Sequence, residues 1–368
     1  MMNRMIVGNL VYRPLRSLIS VVAVALEVTL ILLIVGLCLG MLRDNRTRNA
    51  GIGADVIVLP PGSSFIAGLT GAPMPIKIRD VLAKLPHVKG VAPVVTQVSS
   101  AGTLEIIAGI DLPSYEGLSA GFHYLEGGSF QGPYDGLVDD LFAKSKHARV
   151  GDTVEILNNK FRICGIVERG KGARKFVPLN TLQDLIGAKD KATIFYVKLD
   201  DPANADTVVD EIKHVPGLER YMVNSMASYL AAMSTSNIPL LSTFIDVVVG
   251  ISMVIGFIVI FQAMYTAVME RTREIGILKS MGASKFYIVN VVLRETALLA
   301  LAGIVLGIVV SLAARAALAH KFPLMQVVVD GGWIVRATLI AIAGAIAGAL
   351  YPAFKAAQKD PIDALAYE

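Results

Sequence analysis

Residues 17–42, SLISVVAVALEVTLILLIVGLCLGML, hold a single charge, Glu27, in a run otherwise built from apolar and small side chains. Crossing about 30 Å of hydrocarbon takes roughly 20 such residues in a helix, so this stretch predicts a membrane span. It is too long for the apolar core of a signal peptide, and no small-residue cleavage site precedes Arg43, so it is expected to remain as an anchor. Three further runs follow: 247–269, uncharged up to Glu270 and Arg271, then 296–314 and 337–354, bounded by Arg294, Glu295, Arg315, Arg336 and Lys355. Trp333 precedes the last run, where an interfacial aromatic belongs. The fold class is therefore membrane α-helical with four transmembrane helices, plus one large domain between the first two.

Composition supports that division. Of the 368 residues 54% are apolar and 17% charged, and mean hydropathy is +0.60. Soluble chains carry about 25% charged residues. The net charge of +4 is small, with no basic stripe, so nucleic acid is not expected as a partner. Cys38 lies in an apolar run and Cys164 in a soluble one, which argues against a disulfide.

The layout that follows is a segment 1–16, a span 17–42, a domain 43–238, a span 240–269, a loop 270–295, a span 296–316, a short loop 317–335, a span 336–355 and a tail 356–368. Four spans place both termini and the 270–295 loop on one side. That side holds Arg4, Arg13, Arg16, Arg271, Arg273, Lys279, Lys285, Arg294, Lys355 and Lys359, against Arg43, Arg46, Arg48, Arg315, Lys321 and Arg336 on the other. The excess of cations predicts a cytoplasmic side for the former and an extracytoplasmic domain.

Small residues recur four apart at Gly36/Gly40, Gly303/Gly307 and Gly344/Gly348, a spacing that lets two helix backbones approach closely, within the chain or between copies. Glu27 is sharper, because a carboxylate at the bilayer centre costs about 2.5 kcal/mol or more. It either faces a helix partner, stays protonated, or marks a polar path.

In the domain, 55–59 reads as a strand, 78–85 as a helix stopped by Pro86, and 88–95 as a strand. The succession returns as strand 194–199, helix 205–214 and strand 218–223. Two strand–helix–strand units at the two flanks suggest one α/β subdomain of a porter-like kind, enclosing a mostly β insertion. Within the insertion, strands 153–157 and 161–167 form a hairpin turned by Asn158 and Asn159, and 178–186 reads as a short helix capped by Asn180. The Gly/Pro-rich stretch 60–75 carries Phe65, Ile66, Leu69 and Met74 without the pattern of an ordered core; it either offers these side chains to a lipid-like substrate or partner or simply connects two elements.

These residues contain no Gly-x-x-x-x-Gly-Lys-Ser/Thr, so no phosphate cradle for a nucleotide is expected. His87, His123, His147, His214 and His320 are scattered without metal-ligand spacing.

The loop 270–288 alternates polar Arg271, Arg273, Glu274, Lys279 and Lys285 with apolar Ile275, Ile277, Leu278 and Met281. Ile275, Leu278 and Met281, three apart, predict one broad apolar face; Gly282 ends the helix, and Ala283 and Ser284 open the next. Arg273-Glu-Ile-Gly-Ile-Leu-Lys-Ser-Met-Gly-Ala283 resembles the cytoplasmic signature of the FtsX-like permease family, which includes MacB-type and LolC/LolE-type transporters. Residues 351–365 resemble that family's close, with Asp360 as N-cap, Pro361 as first helical residue and Asp363 in the first turn. The segment opening Val150-Gly-Asp-Thr and its hairpin is similar to the MacB-type periplasmic domain.

The resemblance implies a non-catalytic permease in the bacterial cytoplasmic (inner) membrane. Its coupling helix docks into a separate ABC ATPase through Arg273, Glu274, Ile275, Gly276, Leu278, Lys279, Gly282 and Ala283. ATP and Mg would sit on that ATPase and no cofactor on this chain. Two ATPase copies, a second permease copy and a periplasmic adaptor would complete the assembly in the lipid bilayer. By mechanotransmission it would export or extract an amphiphile, lipoprotein or drug-like molecule. The alternative is a regulator passing ATPase motion to an extracytoplasmic enzyme, such as a cell-wall hydrolase; a membrane-anchored enzyme or binding domain without an ATPase is a third class. Ser280 stands where Ala is usual, and Ala366 where a basic residue often follows.

Overall fold

A computed structural model describes residues 14–63, 72–99 and 105–359. The chain divides into two compact units. One comprises the chain through Gly40, Leu240–Lys321 and the chain from Met325; the other is Met41–Pro239 with Phe322–Leu324.

In chain order the elements are α1 (Pro14–Ala50), β1 (Val56–Leu59), β2 (Met74–Pro75), α2 (Ile78–Leu82), β3 (Val88–Ser99), β4 (Glu105–Ile110), α3 (Leu112–Glu116), β5 (Tyr124–Gly127), β6 (Asp135–Asp139) and α4 (Asp140–Lys146). They continue as β7 (Thr153–Ile156), β8 (Asn159–Val167), β9 (Lys175–Pro178), α5 (Leu179–Leu185), β10 (Lys191–Ala192), β11 (Ile194–Leu199), α6 (Ala205–Lys213), β12 (Met222–Ser225) and α7 (Met226–Ala232). Last come α8 (Pro239–Glu270), α9 (Thr272–Ser280), α10 (Lys285–Lys321) and α11 (Gly331–Gln358).

Among the described residues four helices, α1, α8, α10 and α11, are long and apolar enough to cross a membrane. Their packing relies on small residues. A Cβ added to Gly303 would lie 2.6 Å from Val24 Cβ, and one added to Gly307 would lie 2.8 Å from the Ala25 carbonyl oxygen, so α1 and α10 meet almost backbone to backbone. Thr29 Oγ1 donates to the Gly307 carbonyl across that contact (3.2 Å). On α11, Ala337, Ala341, Ala345, Ala349 and Ala353 recur every fourth residue and are buried, while a Cβ on Gly348 would reach within 2.8 Å of the Phe257 carbonyl of α8. Gly36 and Gly40 of α1 face the segment 326–328. Gly36, Gly40, Gly303, Gly307 and Gly348 thus serve close packing within the chain, whereas Gly344 does not.

The second unit is built on a mixed sheet of ten strands in the order β12-β1-β11-β3-β4-β9-β6-β8-β5, with β7 paired to β8. At one end, β1–α2–β3 and β11–α6–β12 interleave, so that β1 lies between β11 and β12, antiparallel to both. Both faces are covered, which is why β1 is apolar throughout: Val56 and Val58 enter one core with Val208 and Ile212 of α6, and Ile57 and Leu59 enter the other with Tyr196 and Phe176. Towards the other end, β4 pairs parallel with β9, and β6 parallel with β8.

Several local expectations are corrected. The turn between β7 and β8 is Leu157–Asn158, both at positive φ, as a two-residue turn of this hand requires, not Asn158–Asn159. Helix α5 begins after Pro178 with no side-chain cap, so Asn180 does not cap it. Helix α2 stops at Leu82, short of Leu85. The last strand is Met222–Ser225, displaced toward the C-terminus because Met226 N–H bonds to the Asp55 carbonyl (2.8 Å) and fixes its register beside β1. Of the stretch 60–75, Phe65, Ile66 and Leu69 lie outside the described residues. Met74 is buried in β2, paired with β10, so that part has an ordered core. Asp360, Pro361, Asp363 and Ala366 also lie outside the described residues.

Candidate functional site

Helix α8 ends at Glu270, and Arg271, with φ −105° and ψ 17°, turns the chain before α9 begins. Thr272 Oγ1 donates chiefly to the carbonyl of Met269 (2.8 Å), an oxygen at the end of α8, and lies 3.3 Å from that of Val268, which also accepts from Arg271 N–H. Arg271 reaches across to α10, where its Nη1 lies 3.0 Å from Glu295 Oε2 and 3.3 Å from Oε1; their side chains are 12% and 5% exposed. Glu274 in the first turn and Lys279 in the last suit the helix dipole.

The far end of α9 is closed as a Schellman motif. Gly282 at φ +94° donates to the Lys279 carbonyl (3.0 Å), and Ala283 N–H donates to the Leu278 carbonyl (3.0 Å). Ser284 Oγ then accepts from Tyr287 N–H (3.2 Å) and caps α10. Lys279 Nζ donates to the Ala357 carbonyl (3.1 Å) and also to the Lys359 carbonyl, at the end of α11, where the helix dipole attracts a cation. Helix α9 is therefore fastened at its start to α10 and at its end to α11.

These ties sort its side chains. Thr272 and Gly276 are buried, and Ile275 and Leu278 are half-buried; Arg273, Glu274, Ile277 and Ser280 are exposed. The three-residue series breaks: Ile275 packs on the helical core, whereas Met281 is 71% exposed because the helix has already ended there. Ile277 and Phe286, the latter 85% exposed, join Met281 as outward apolar groups. Behind α9, a small groove of about 60 Å³ is lined by Met264, Val268, Ile275, Leu278, Ile288 and Val292.

Of the residues singled out in sequence, Arg273 and Glu274 stand outward, while Lys279, Gly282 and Ala283 hold the helix in place. Glu295 and Phe286 were missed. The usable signal for Glu295 was an acid opening one apolar run while an Arg follows the close of the run before it.

Glu27 lies apart from this surface, buried in the helical unit. It lodges against α8, where a Cβ on Gly256 would fall 2.0 Å from its Oε2; one on Gly344 of α11 would lie 4.0 Å from its Oε1. Its Oε1 has no hydrogen-bond partner among the described residues.

Residues 17–215 match the MacB-like periplasmic core domain, and residues 247–361 match the FtsX-like permease C-terminal domain. The chain belongs to the MacB/FtsX family of ABC transporter permeases. It is 25% identical over 381 residues to the macrolide export ATP-binding/permease protein MacB of Shewanella sp. (strain W3-18-1), covering 96% of this chain and 58% of that one. It is 30% identical over 253 residues to the ABC transporter permease YknZ of Bacillus subtilis (strain 168), covering 63% of this chain and 62% of YknZ. The chain thus spans less than two thirds of these relatives. The solved periplasmic region of MacB from Actinobacillus actinomycetemcomitans aligns at a TM-score of 0.40 and 18% identity, covering 50% of this chain and 94% of that one.

Proposed function

We propose that this MacB/FtsX-type permease couples ATP hydrolysis on a separate ATPase to movement of its α/β domain, with α9 as the docking element. One observation carries the reading. Helix α9 is fixed to two long helices by Arg271–Glu295 and by Lys279, yet turns Arg273, Glu274, Ile277 and Met281 outward. A helix tied on one face and bare on the other can pass a push from a bound partner into α8, α10 and α11. Apolar Ile277 and Met281 would bury against the ATPase, and Arg273 and Glu274 would set its register. ATP and Mg would reside on that partner.

A second permease copy completes the assembly, two ATPases serve it, and the bacterial inner membrane holds it, with the α/β domain on the extracytoplasmic side. In that domain the β1, β3, β11 and β12 end would act as the porter-like part and the β4–β9 end as the β-rich insertion. The cargo class is an amphiphile, lipoprotein or drug-like molecule, handed to a periplasmic adaptor. The ATPase must bind the permease's two states with unequal affinity, or its cycle shifts nothing.

Cysteine at Ile277 or Met281, with the co-expressed ATPase, tests the docking. Each is expected to cross-link to the ATPase, and cysteine at buried Thr272 is not. No adduct from either exposed position in any nucleotide state would defeat the proposal. ATPase stimulation by amphiphiles supports transport, whereas activation of a bound cell-wall hydrolase with no such stimulation supports a regulatory role.

A further inference from the structure

The C-terminal end of α1 is gripped by the loop joining β8 to β9. Gly172 N–H donates to the Arg48 carbonyl (2.9 Å), one of the oxygens a helix end leaves without an internal partner. Gly170 crosses close above Gly51: a Cβ on Gly51 would lie 1.9 Å from the Gly170 carbonyl oxygen. Arg174, 11% exposed, joins the two sides, with Nη2 2.9 Å from Asp44 Oδ2 on α1 and Nη1 3.3 Å from Asp139 Oδ2 at the end of β6. Asp44 also takes Arg48 Nε at 3.2 Å, an acid–base pair four apart on the helix. Asp139 is buried and its Oδ1 accepts from Phe142 N–H (2.6 Å), capping α4. The loop is braced behind as well: Tyr115 Oη donates to the Lys171 carbonyl (2.7 Å), and Lys171 Nζ donates to Ser119 Oγ (2.8 Å).

These contacts link parts that the chain path separates. Helix α1 runs covalently into β1, whereas β9 lies further along the sheet, with β11, β3 and β4 between them. A shift of the α1 end reaches β1 through the backbone. It reaches the β9–β6–β8 region through this loop without passing across the intervening strands. A buried ion pair is costly to break from one side, because a charge is left without its partner in a low-dielectric site. Such a junction holds its geometry under load better than apolar contact, which can slide.

We propose that the β8–β9 loop is a clasp that makes the end of α1 and the β6–β9 part of the sheet one moving body, with Arg174 as its positioning residue. The proposal rests on the coupling function above and adds where the motion enters the α/β domain.

The test uses the full chain with its ATPase in nanodiscs, after Cys38→Ser and Cys164→Ser, and spin labels at exposed positions. One pair reports α1 against β8 (Arg46→Cys, Lys160→Cys), and the other reports β8 against α6 (Lys160→Cys, Lys213→Cys). The 46–160 distance is expected to be narrow and the same with and without trapped ATP, while the 160–213 distance shifts. Arg174→Met is expected to broaden the 46–160 distribution and abolish the nucleotide-linked shift at 160–213, with ATPase binding retained. Asp44→Asn, which removes the charge that Arg174 and Arg48 share on α1 and leaves Arg174–Asp139, is expected to do the same to a smaller degree and guards against a folding defect. If 46–160 shifts with nucleotide as much as 160–213, or stays narrow in both variants, the clasp is wrong and the coupling function stands. If no distance responds to nucleotide, the coupling function fails and the clasp with it.

Discussion

The two units bury opposite kinds of residue. In the helical unit the tightest contacts are made by what is missing: Gly303 and Gly307 against α1, Gly348 against α8, and the alanine series 337–353 along α11. In the α/β domain Phe161, Phe176 and Phe195 are among the largest fully buried side chains. The difference follows from the solvent. Between helices in lipid there is no hydrophobic drive, since the tails are as apolar as leucine, so close backbone contact and dispersion hold them together. A domain in water gains from removing large apolar side chains, and aromatic rings remove the most area each. One unit should therefore suffer when a side chain grows, and the other when one shrinks.

The largest effect is expected from Phe176→Ala. Phe176 packs edge-on to Phe122, with ring centroids 5.0 Å apart, and sits in the core shared by β1, β11 and β9. Its truncation should cost about 3–5 kcal/mol, read as a fall in the unfolding temperature of the α/β domain with the helical unit unaffected. A loss below about 1 kcal/mol would mean that this core is not packed as described.

Breaking the Arg271–Glu295 pair comes next and crosses the comparison, because here the helical unit buries charge. Arg271→Met should cost about 3 kcal/mol by removing the guanidinium that faces buried Glu295 at 3.0 Å. The double change Arg271→Met with Glu295→Gln should recover much of that loss. Equal and additive losses in a mutant cycle on the full chain would show that the two charges do not interact.

How much of this was legible in the sequence follows the same division. The four long helices were plain, because lipid demands continuous apolar runs. The end of α9 was plain too, since Gly282 is the residue that its left-handed turn favours. Glu27 stood out, but its neighbour Gly256 could not, because a glycine in a membrane helix gives no hint of which helix faces it. Glu295 read as the edge of a span, although it is buried and paired with Arg271. The Leu157–Asn158 turn was misread because leucine seldom takes positive φ. The clasp residues Gly170, Gly172 and Arg174 went unnoticed, since their partners lie more than a hundred positions away in α1 and only the folded sheet brings them together.

Growth is the complementary test in the helical unit. Gly307→Ala places a Cβ 2.8 Å from the Ala25 carbonyl oxygen and 2.9 Å from Val28 Cβ, positions that α1 can vacate only by moving outward. A cost of about 1–3 kcal/mol is expected, together with loss of the Thr29–Gly307 hydrogen bond. Gly344→Ala, whose nearest neighbour would be 3.8 Å away, should be tolerated. Equal behaviour of the two variants would remove the steric explanation.

The smallest effect concerns buried charge in the α/β domain and is read through pH. Burial pushes the Asp139 carboxyl up to about 6 from an ordinary 3.8, and it is only partly held back by Phe142 N–H and by the cations Arg174 and Arg48, with Asp140 adding to the rise. A carboxyl raised on folding binds its proton more tightly in the folded state than in the unfolded one. The domain therefore gains stability from this group as pH falls from about 6 toward 4, and at pH 7 the ionised form is carried at a cost. Hydrogen-exchange protection of the α4 and β9 amides, corrected for intrinsic rates, should be higher at pH 5 than at pH 7 in the native chain. Asp139→Asn keeps an oxygen for the Phe142 cap and should remove that slope. Protection that instead falls between pH 7 and pH 5 would mean that Arg174 outweighs burial, so that the carboxylate stabilises the clasp while ionised.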